Sequence, residues 1–325
     1  MFDTHYDLLT IAYKAYLTND YSYLEKISHY FHDSNVRGVI ANLYFMDRDE
    51  MDNEITPGYY KDDVSVLEMF TKAKEIVESF FPDTEIIYSI EGCDYISGTD
   101  ELEALSEAGL DSIILCWNTE NRYGSGNRSS KGLTQTGRSF VSKAIELGLG
   151  IDLSHANENT FYDLCDLIEE KQNEGYDVVC YASHSNVRSL CDRDRNLKDD
   201  QLERIKSIGA LVGVFSHKNF IVDPSMWNDE VDTRKMYLEH INYLKDIVGF
   251  DSIITSTDDM EFCGWYDPQY YSTSIYPYSS IGAELYSDLE KSFGSDNASK
   301  IIYDNVKNKI WNRIKINKDK GRGVK

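Results

Sequence analysis

His5 and Asp7, two positions apart in Asp3-Thr4-His5-Tyr6-Asp7-Leu8, are the first residues in this chain that suggest chemistry. On a β-strand, alternation puts both side chains on one face, about 7 Å apart along the strand and within reach of one metal ion. Imidazole and carboxylate are ordinary ligands of Zn²⁺ and similar divalent ions. A single His-x-Asp pair is commonplace, so it gains weight only from others like it. Glu91, His155, His184 and Asp258 supply them, each at the end of an otherwise apolar run. A buried carboxylate or imidazole is costly unless it is paired or metal-bound. A shared metal site accounts for all six residues at once. Three imidazoles with two or three carboxylates exceed what one catalytic zinc needs, which is three protein ligands plus water. Two divalent cations account for the surplus, with a carboxylate such as Glu91 giving one oxygen to each. Such ions, about 3.5–4 Å apart, hold a hydroxide between them and polarise a carbonyl.

Something must carry these residues to one place, and the chain alternates β-rich runs with amphipathic stretches. After the first run come Val36–Met46 and a helical pattern over Val64–Ser79, then Ile86–Glu91 with Glu101–Glu107, and Ser112–Asn118 with Thr134–Leu147. Gly150–His155 precedes Glu158–Gln172, Val178–His184 precedes Asp199–Ser207, and Ala210–His217 precedes Val231–Val248. Ser252–Asp258 comes last, before helical segments at Ala283–Lys291 and Ala298–Lys315. Continuous apolar runs suit parallel strands covered on both faces. Eight such units predict an α/β fold of the (β/α)8 TIM-barrel class, one domain over residues 1–325 with a C-terminal helical extension. Active sites of that fold lie where strands run into the following loops, and the six residues stand there. No glycine-rich phosphate loop follows any strand, which argues against nucleotide binding. The aromatic stretch Trp265–Tyr278 reads as an ordered loop after the eighth strand, either a lid or rim packing. Lys318–Lys325 reads as a frayed basic tail, and His29, His32 and His240, in helical patterns, as surface residues.

The 325 residues carry 33 Lys and Arg against 56 Asp and Glu, a net charge of −23, with a pI near 4.6. So acidic a chain is not expected to bind nucleic acid or an anionic membrane surface. Acidic runs such as Asp47–Glu54 read as solvated loops. No stretch approaches the roughly 20 apolar residues that span a bilayer, and the opening residues do not resemble a signal peptide. The six cysteines form no CxxC pair and read as reduced thiols. The expected compartment is the cytoplasm.

Seven motifs then appear in a recognisable order over roughly residues 3 to 260. They are Asp3-Thr4-His5-Tyr6-Asp7, Ser89-Ile90-Glu91-Gly92, Gly132-Leu133-Thr134-Gln135-Thr136-Gly137, Gly150-Ile151-Asp152-Leu153-Ser154-His155, Ala182-Ser183-His184-Ser185, Arg195-Asn196-Leu197-Lys198-Asp199-Asp200 and Ser256-Thr257-Asp258. Together they resemble the membrane dipeptidase (renal dipeptidase) family, peptidase family M19, whose members are binuclear-zinc barrel enzymes. The likeness is to bacterial members. The resemblance implies that His5 and Asp7 bind one zinc, that His155 and His184 bind the other, and that Glu91 bridges them. It implies that Asp258 handles the proton of the leaving amine or orients the water, and that Arg195 sits in the substrate pocket. Arg195 is a bidentate donor suited to a carboxylate. The chain departs from mammalian members where a substrate-contacting histidine ends strand four, since Cys116-Trp117-Asn118 stands there. The usual Asp-Phe-Asp-Gly is here Asp258-Asp259-Met260-Glu261. Trp117 or Asn118 is expected in place of that strand-four histidine, and Phe220, which falls where some relatives have a pocket tyrosine, is an expected pocket residue with His217 nearby.

The expectation is a dipeptidase in which a metal-bridging hydroxide attacks the peptide carbonyl and Asp258 passes the proton to the amine. Arg195 would read the free C-terminal carboxylate. The resemblance also implies broad side-chain tolerance, D-residues at the C-terminal position and a homodimer. The alternatives are a related binuclear amide or lactone hydrolase, and a catalytically silent binding protein on the same fold.

Overall fold

The structure, a computed structural model, describes residues 1–45, 64–226, 231–259 and 274–319. Eight strands follow one another in chain order around a single sheet: β1 (Phe2–Tyr6), β2 (Gly38–Tyr44), β3 (Glu85–Glu91), β4 (Ser112–Ile114), β5 (Gly150–Asp152), β6 (Cys180–Ala182), β7 (Leu211–Phe215) and β8 (Ile253–Ser256). Neighbours pair in parallel throughout, from Phe2 opposite Gly38 to Phe215 opposite Ser256. At the seam the Thr4 hydroxyl lies 3.0 Å from the Thr255 carbonyl, and the Asp258 amide donates to the His5 carbonyl at 3.2 Å. With the helices outside, this is the (β/α)8 barrel that the alternation predicts. Every residue of β1 and β2 is buried, as strands covered on both faces must be.

Several helices begin where a side chain accepts a first-turn amide. Ser65 accepts from Glu68 N, Thr134 from Gly137 N and Asn157 from Thr160 N. Two helices, Leu8–Thr18 and Ser22–Asp33, fill the connection between β1 and β2, where periodicity had marked no element. Strands β4, β5 and β6 are shorter than their apolar runs. The chain beyond them, through Asn118, His155 and His184, leaves the ladder and turns over the barrel mouth. Gly213 of β7 lies against this turn: a Cβ there would come within 1.8 Å of the Ser183 carbonyl, so only glycine permits the approach.

The opposite end is plugged. Val306, Ile310 and Ile314 of the C-terminal helical run, residues 295–319, pack against Phe2, Ile40, Ile87, Val179, Leu211 and Ile254. Lys318, expected in a frayed tail, instead reaches the buried Asp111 carboxylate at 2.7 Å, and Lys315 reaches it at 3.4 Å. A carboxylate 1% exposed needs such partners, and that need orders the helix end. Residues 320–325 lie outside the described residues. So do Asp47–Glu54, and most of the Trp265–Tyr278 stretch; its Tyr276 and Tyr278 are buried. The thiols of Cys93, Cys116, Cys165, Cys180 and Cys191 are buried. Among the described residues no helix is long and apolar enough to cross a membrane.

His240 corrects the sequence reading. It is wholly buried, on a stripe with Tyr237, Ile241 and Leu244 along the helix Thr233–Ile247. Its Nδ1 accepts the Val187 amide at 3.0 Å and its Nε2–H donates to the Ile221 carbonyl at 3.1 Å. Burial lowers this imidazole from 6.5 to about 4. The unfolded chain therefore takes up the proton first as pH falls, and native stability is lost between pH 6.5 and 4. Urea midpoints across that window should register the loss, ~3 kcal/mol in all. The slope should flatten in His240→Gln. An unchanged slope would show that this ring does not couple folding to pH.

Candidate metal centre

Each site residue stands at a strand end. His5 is next to last in β1, and Asp7 follows that strand. Glu91 closes β3, while His155, His184 and Asp258 follow β5, β6 and β8 by two or three residues. The structure brings all six together. Glu91, 3% exposed, lies between the histidines, with Oε2 3.2 Å from His5 Nε2 and Oε1 2.9 Å from His155 Nε2. His184 Nε2 is 3.9 Å from that same Oε1 and 2.9 Å from His155 Nε2. Two donor triads, His5–Asp7–Glu91 and Glu91–His155–His184, thus share Glu91 through different oxygens, the ligand atoms of each lying within 4.8 Å of one another. A third triad, His5–Asp152–His184, is as compact.

Two features of this cluster are those of a cation site. Asp7 Oδ1 is a buried oxygen without a hydrogen-bond partner. Burial first, then the neighbouring Glu91 charge, holds the Asp7 carboxyl well above the carboxylate range. Second, His155 and His184 point Nε2 at each other while their Nδ1 atoms are engaged. His155 Nδ1–H donates to Asn118 Oδ1 at 3.2 Å, and His184 Nδ1 lies 2.7 Å from the Ser183 hydroxyl. Two imidazole lone pairs facing at about 3 Å are what one shared ion bound at about 2 Å would create. Burial lowers His155 to about 3 and His184 well below its ordinary value, so both rings are neutral, the form a metal requires. His5 differs. Burial opposes its charge, but Glu91, Asp258 and Asp7 override burial and raise it to about 10. Glu91, despite burial, is held below the carboxylate range by His5 and His155.

The supporting residues are ones that sequence reasoning missed. Asp3 Oδ1 accepts the Thr257 amide at 2.9 Å and the His5 amide at 3.3 Å, and its Oδ2 accepts the Thr257 hydroxyl at 2.6 Å. Asp152 Oδ1 accepts the amides of Ser154 at 2.9 Å and Ser183 at 3.0 Å. These two buried carboxylates tie β1 to the tip of β8, and β5 to that of β6. Asp3 left a signal, since it continues the Asp-x-His-x-Asp alternation. Asn42 lies 3.0 Å from His5 Nδ1 with its own Oδ1 unpartnered. Turned about its amide, it would accept His5 Nδ1–H and free Nε2 for a metal. His155 and Asp258 hold φ of 67° and 47°, a left-handed backbone that costs non-glycine residues about 1–2 kcal/mol each. That backbone swings both side chains inward.

Above the cluster opens a cavity of about 450 Å³, lined by Tyr44, Trp117, Arg195, His217, Phe220 and Asp258 among others. His5 and His184 lie beneath its floor. Asp258 Oδ1 is 3.8 Å from His5 Nε2, on the cavity side. Arg195 extends a guanidinium Nη2 to 3.4 Å from the His184 carbonyl, and burial lowers it only to about 10, so it stays cationic. Trp117 packs edge-on against Tyr44 at 5.2 Å, and Phe220 against Phe215 at 5.0 Å. Asn118 lines the cavity but gives its Oδ1 to His155.

Known proteins resemble the chain in both sequence and fold. A protein of Klebsiella pneumoniae described as uncharacterized, from the pqqA 5′ region, is 32% identical over 182 residues, 53% of this chain and 64% of its own length. An uncharacterized dipeptidase of Schizosaccharomyces pombe is 30% identical over 165 residues, 49% of this chain and 37% of its own. The matches thus span less than two thirds of these relatives. The crystal structure of dipeptidase AC, a metallopeptidase, superposes with a TM-score of 0.70 at 19% identity over 97% of both chains. A Rhodobacter sphaeroides metallopeptidase, solved with a phosphinate mimic of L-Ala-D-Ala, superposes at 0.65 with 20% identity over 88% of both. The family model for membrane dipeptidase (peptidase family M19) matches residues 58–310, more than three quarters of the sequence, and the chain belongs to that family.

Proposed function

We propose that this chain is a metal-dependent dipeptidase whose centre holds two divalent cations, zinc by preference. His5 and Asp7 would hold one, His155 and His184 the other, with Glu91 between. The observation that carries this reading is the pair of donor triads sharing Glu91 through separate oxygens. Nitrogen-rich donors with carboxylates suit zinc among the common ions. Bound there, the cations supply Lewis acidity, which acidifies water and polarises a carbonyl oxygen.

The protein's own groups do the rest. Arg195 receives the C-terminal carboxylate of the peptide as a bidentate donor, placing the scissile carbonyl over Glu91 and the histidines. A guanidinium on the cavity wall beside the His184 carbonyl would favour a substrate that ends one residue beyond the scissile bond. Asp258, on the cavity side of His5, takes the proton of the attacking water on a carboxylate oxygen and delivers it to the departing amine. Trp117, Tyr44 and Phe220 flank the substrate and exclude water. The ligand of the Rhodobacter sphaeroides relative supports including D-residues at the C-terminal position in the substrate range.

Two outcomes follow. Chelated protein should cleave no dipeptide, and zinc should restore turnover across a panel that includes L-Ala-D-Ala. In the same assay Arg195→Met should raise KM about tenfold or more, the worth of a charge-assisted pair. Full activity after chelation, or cleavage confined to N-acyl amino acids or lactones, would contradict the reading. Second, His5 holds its proton up to about 10, yet a metal needs the free nitrogen. Zinc binding should therefore release at least one proton per chain at pH 7–8, with Asp7 able to add to it, and affinity should rise with pH. Calorimetry in buffers of different ionisation enthalpy measures the release; none would mean that His5 is not a ligand.

A further inference from the structure

The cavity holds more guanidinium groups than dipeptide binding needs. Arg193 and Arg195 belong to one turn, closed by the Asn196 amide donating to the Arg193 carbonyl at 2.9 Å, and both line the cavity. The turn reads Cys191-Asp192-Arg193-Asp194-Arg195, in which acids and bases would be expected to neutralise one another. They do not pair in that way. Arg188, from outside the turn, takes both acids: its Nε lies 3.0 Å from Asp192 Oδ1, and its Nη2 binds Asp194. Arg193 is left with a backbone partner, its Nε donating to the Asn219 carbonyl at 3.2 Å. Among the described residues no carboxylate comes within ion-pair distance of it. Asp223, whose carboxyl is held low mainly by hydrogen bonds from Ser225, also feels the Arg193 charge. Arg128 also lines the cavity as a third guanidinium, 5.9 Å from the Trp117 ring.

Among the described residues the cavity's acids are committed. Asp7 and Glu91 belong to the donor triads, Asp258 stands beside His5, and Asp194 is on Arg188. A half-buried guanidinium without an anion beside it offers planar, bidentate recognition to any carboxylate brought there. The C-terminal carboxylate is already assigned to Arg195, and this step rests on that assignment. The geometry points to a second substrate carboxylate: we infer that the enzyme prefers dipeptides whose C-terminal residue is acidic, with Arg193 binding that side chain. The C-terminal residue is the one concerned because Arg193 and Arg195 project from the same turn.

The test is a comparison of kcat/KM for Ala-Glu, Ala-Asp, Ala-Ala, Ala-Lys and Glu-Ala on the zinc-loaded enzyme and its variants. Ala-Glu or Ala-Asp should exceed Ala-Ala by about tenfold or more, chiefly through KM. Glu-Ala should gain nothing. In Arg193→Met the acidic-to-neutral ratio should fall to near one, and in Arg193→Glu Ala-Lys should become the better substrate. A ratio is insensitive to partial unfolding, which lowers all five rates alike. Equal rates for Ala-Glu and Ala-Ala in the native enzyme, or a ratio unchanged in Arg193→Met, would overturn the preference while leaving the dipeptidase reading intact. Cleavage of none of the five would overturn both.

Discussion

A carboxylate removed from water at the mouth of an apolar barrel is the constraint around which this molecule is arranged. Glu91 is almost wholly buried, and an isolated charge there would be too costly to keep. Its two oxygens instead face two different histidine sets, one from β1 and the other from the tips of β5 and β6. The surrounding groups respond to that charge. His5 keeps its proton far above the ordinary histidine range, and Asp7, crowded by the same carboxylate, resists ionising. Three carboxyl groups and three imidazoles, two of them neutral, gather the donor types that suit divalent cations.

Holding that cluster takes rigidity at the strand tips, where hydrogen-bond ladders have ended. Asp3 and Asp152 supply it by accepting backbone amides from neighbouring tips, in the direction that suits a buried anion. Neither needs to touch a substrate. They over-determine the loops enough for His155 and Asp258 to remain in a left-handed backbone. Far below, the C-terminal helical run plugs the other end of the barrel, and its lysines neutralise Asp111. The polar mouth thus stands opposite an end closed by apolar side chains.

Much of this was legible in the residues. Apolar runs of strand length alternating with amphipathic stretches predict the barrel, because strands covered on both faces are mostly apolar. That is also why His5, Glu91, His155, His184 and Asp258 stood out. The strand ends were read too long, since Leu115, Leu153 and Ser183 stay buried after leaving the sheet. Burial marks a sequence; loss of a ladder does not. His240 was misread although Tyr237, Ile241 and Leu244 placed it on a buried stripe, because a polar type outweighed its position. Asn42, Asp152 and Arg193 were not singled out. Their roles depend on which neighbour takes which hydrogen bond or charge, and in Arg193's case on Arg188 claiming the two adjacent acids.

The most direct test of the central claim is anomalous diffraction from crystals of the zinc-loaded protein, recorded on both sides of the zinc edge. Two peaks about 3.5–4 Å apart, each beside a different oxygen of Glu91, are the predicted result. A single peak, or peaks remote from Glu91, would contradict it.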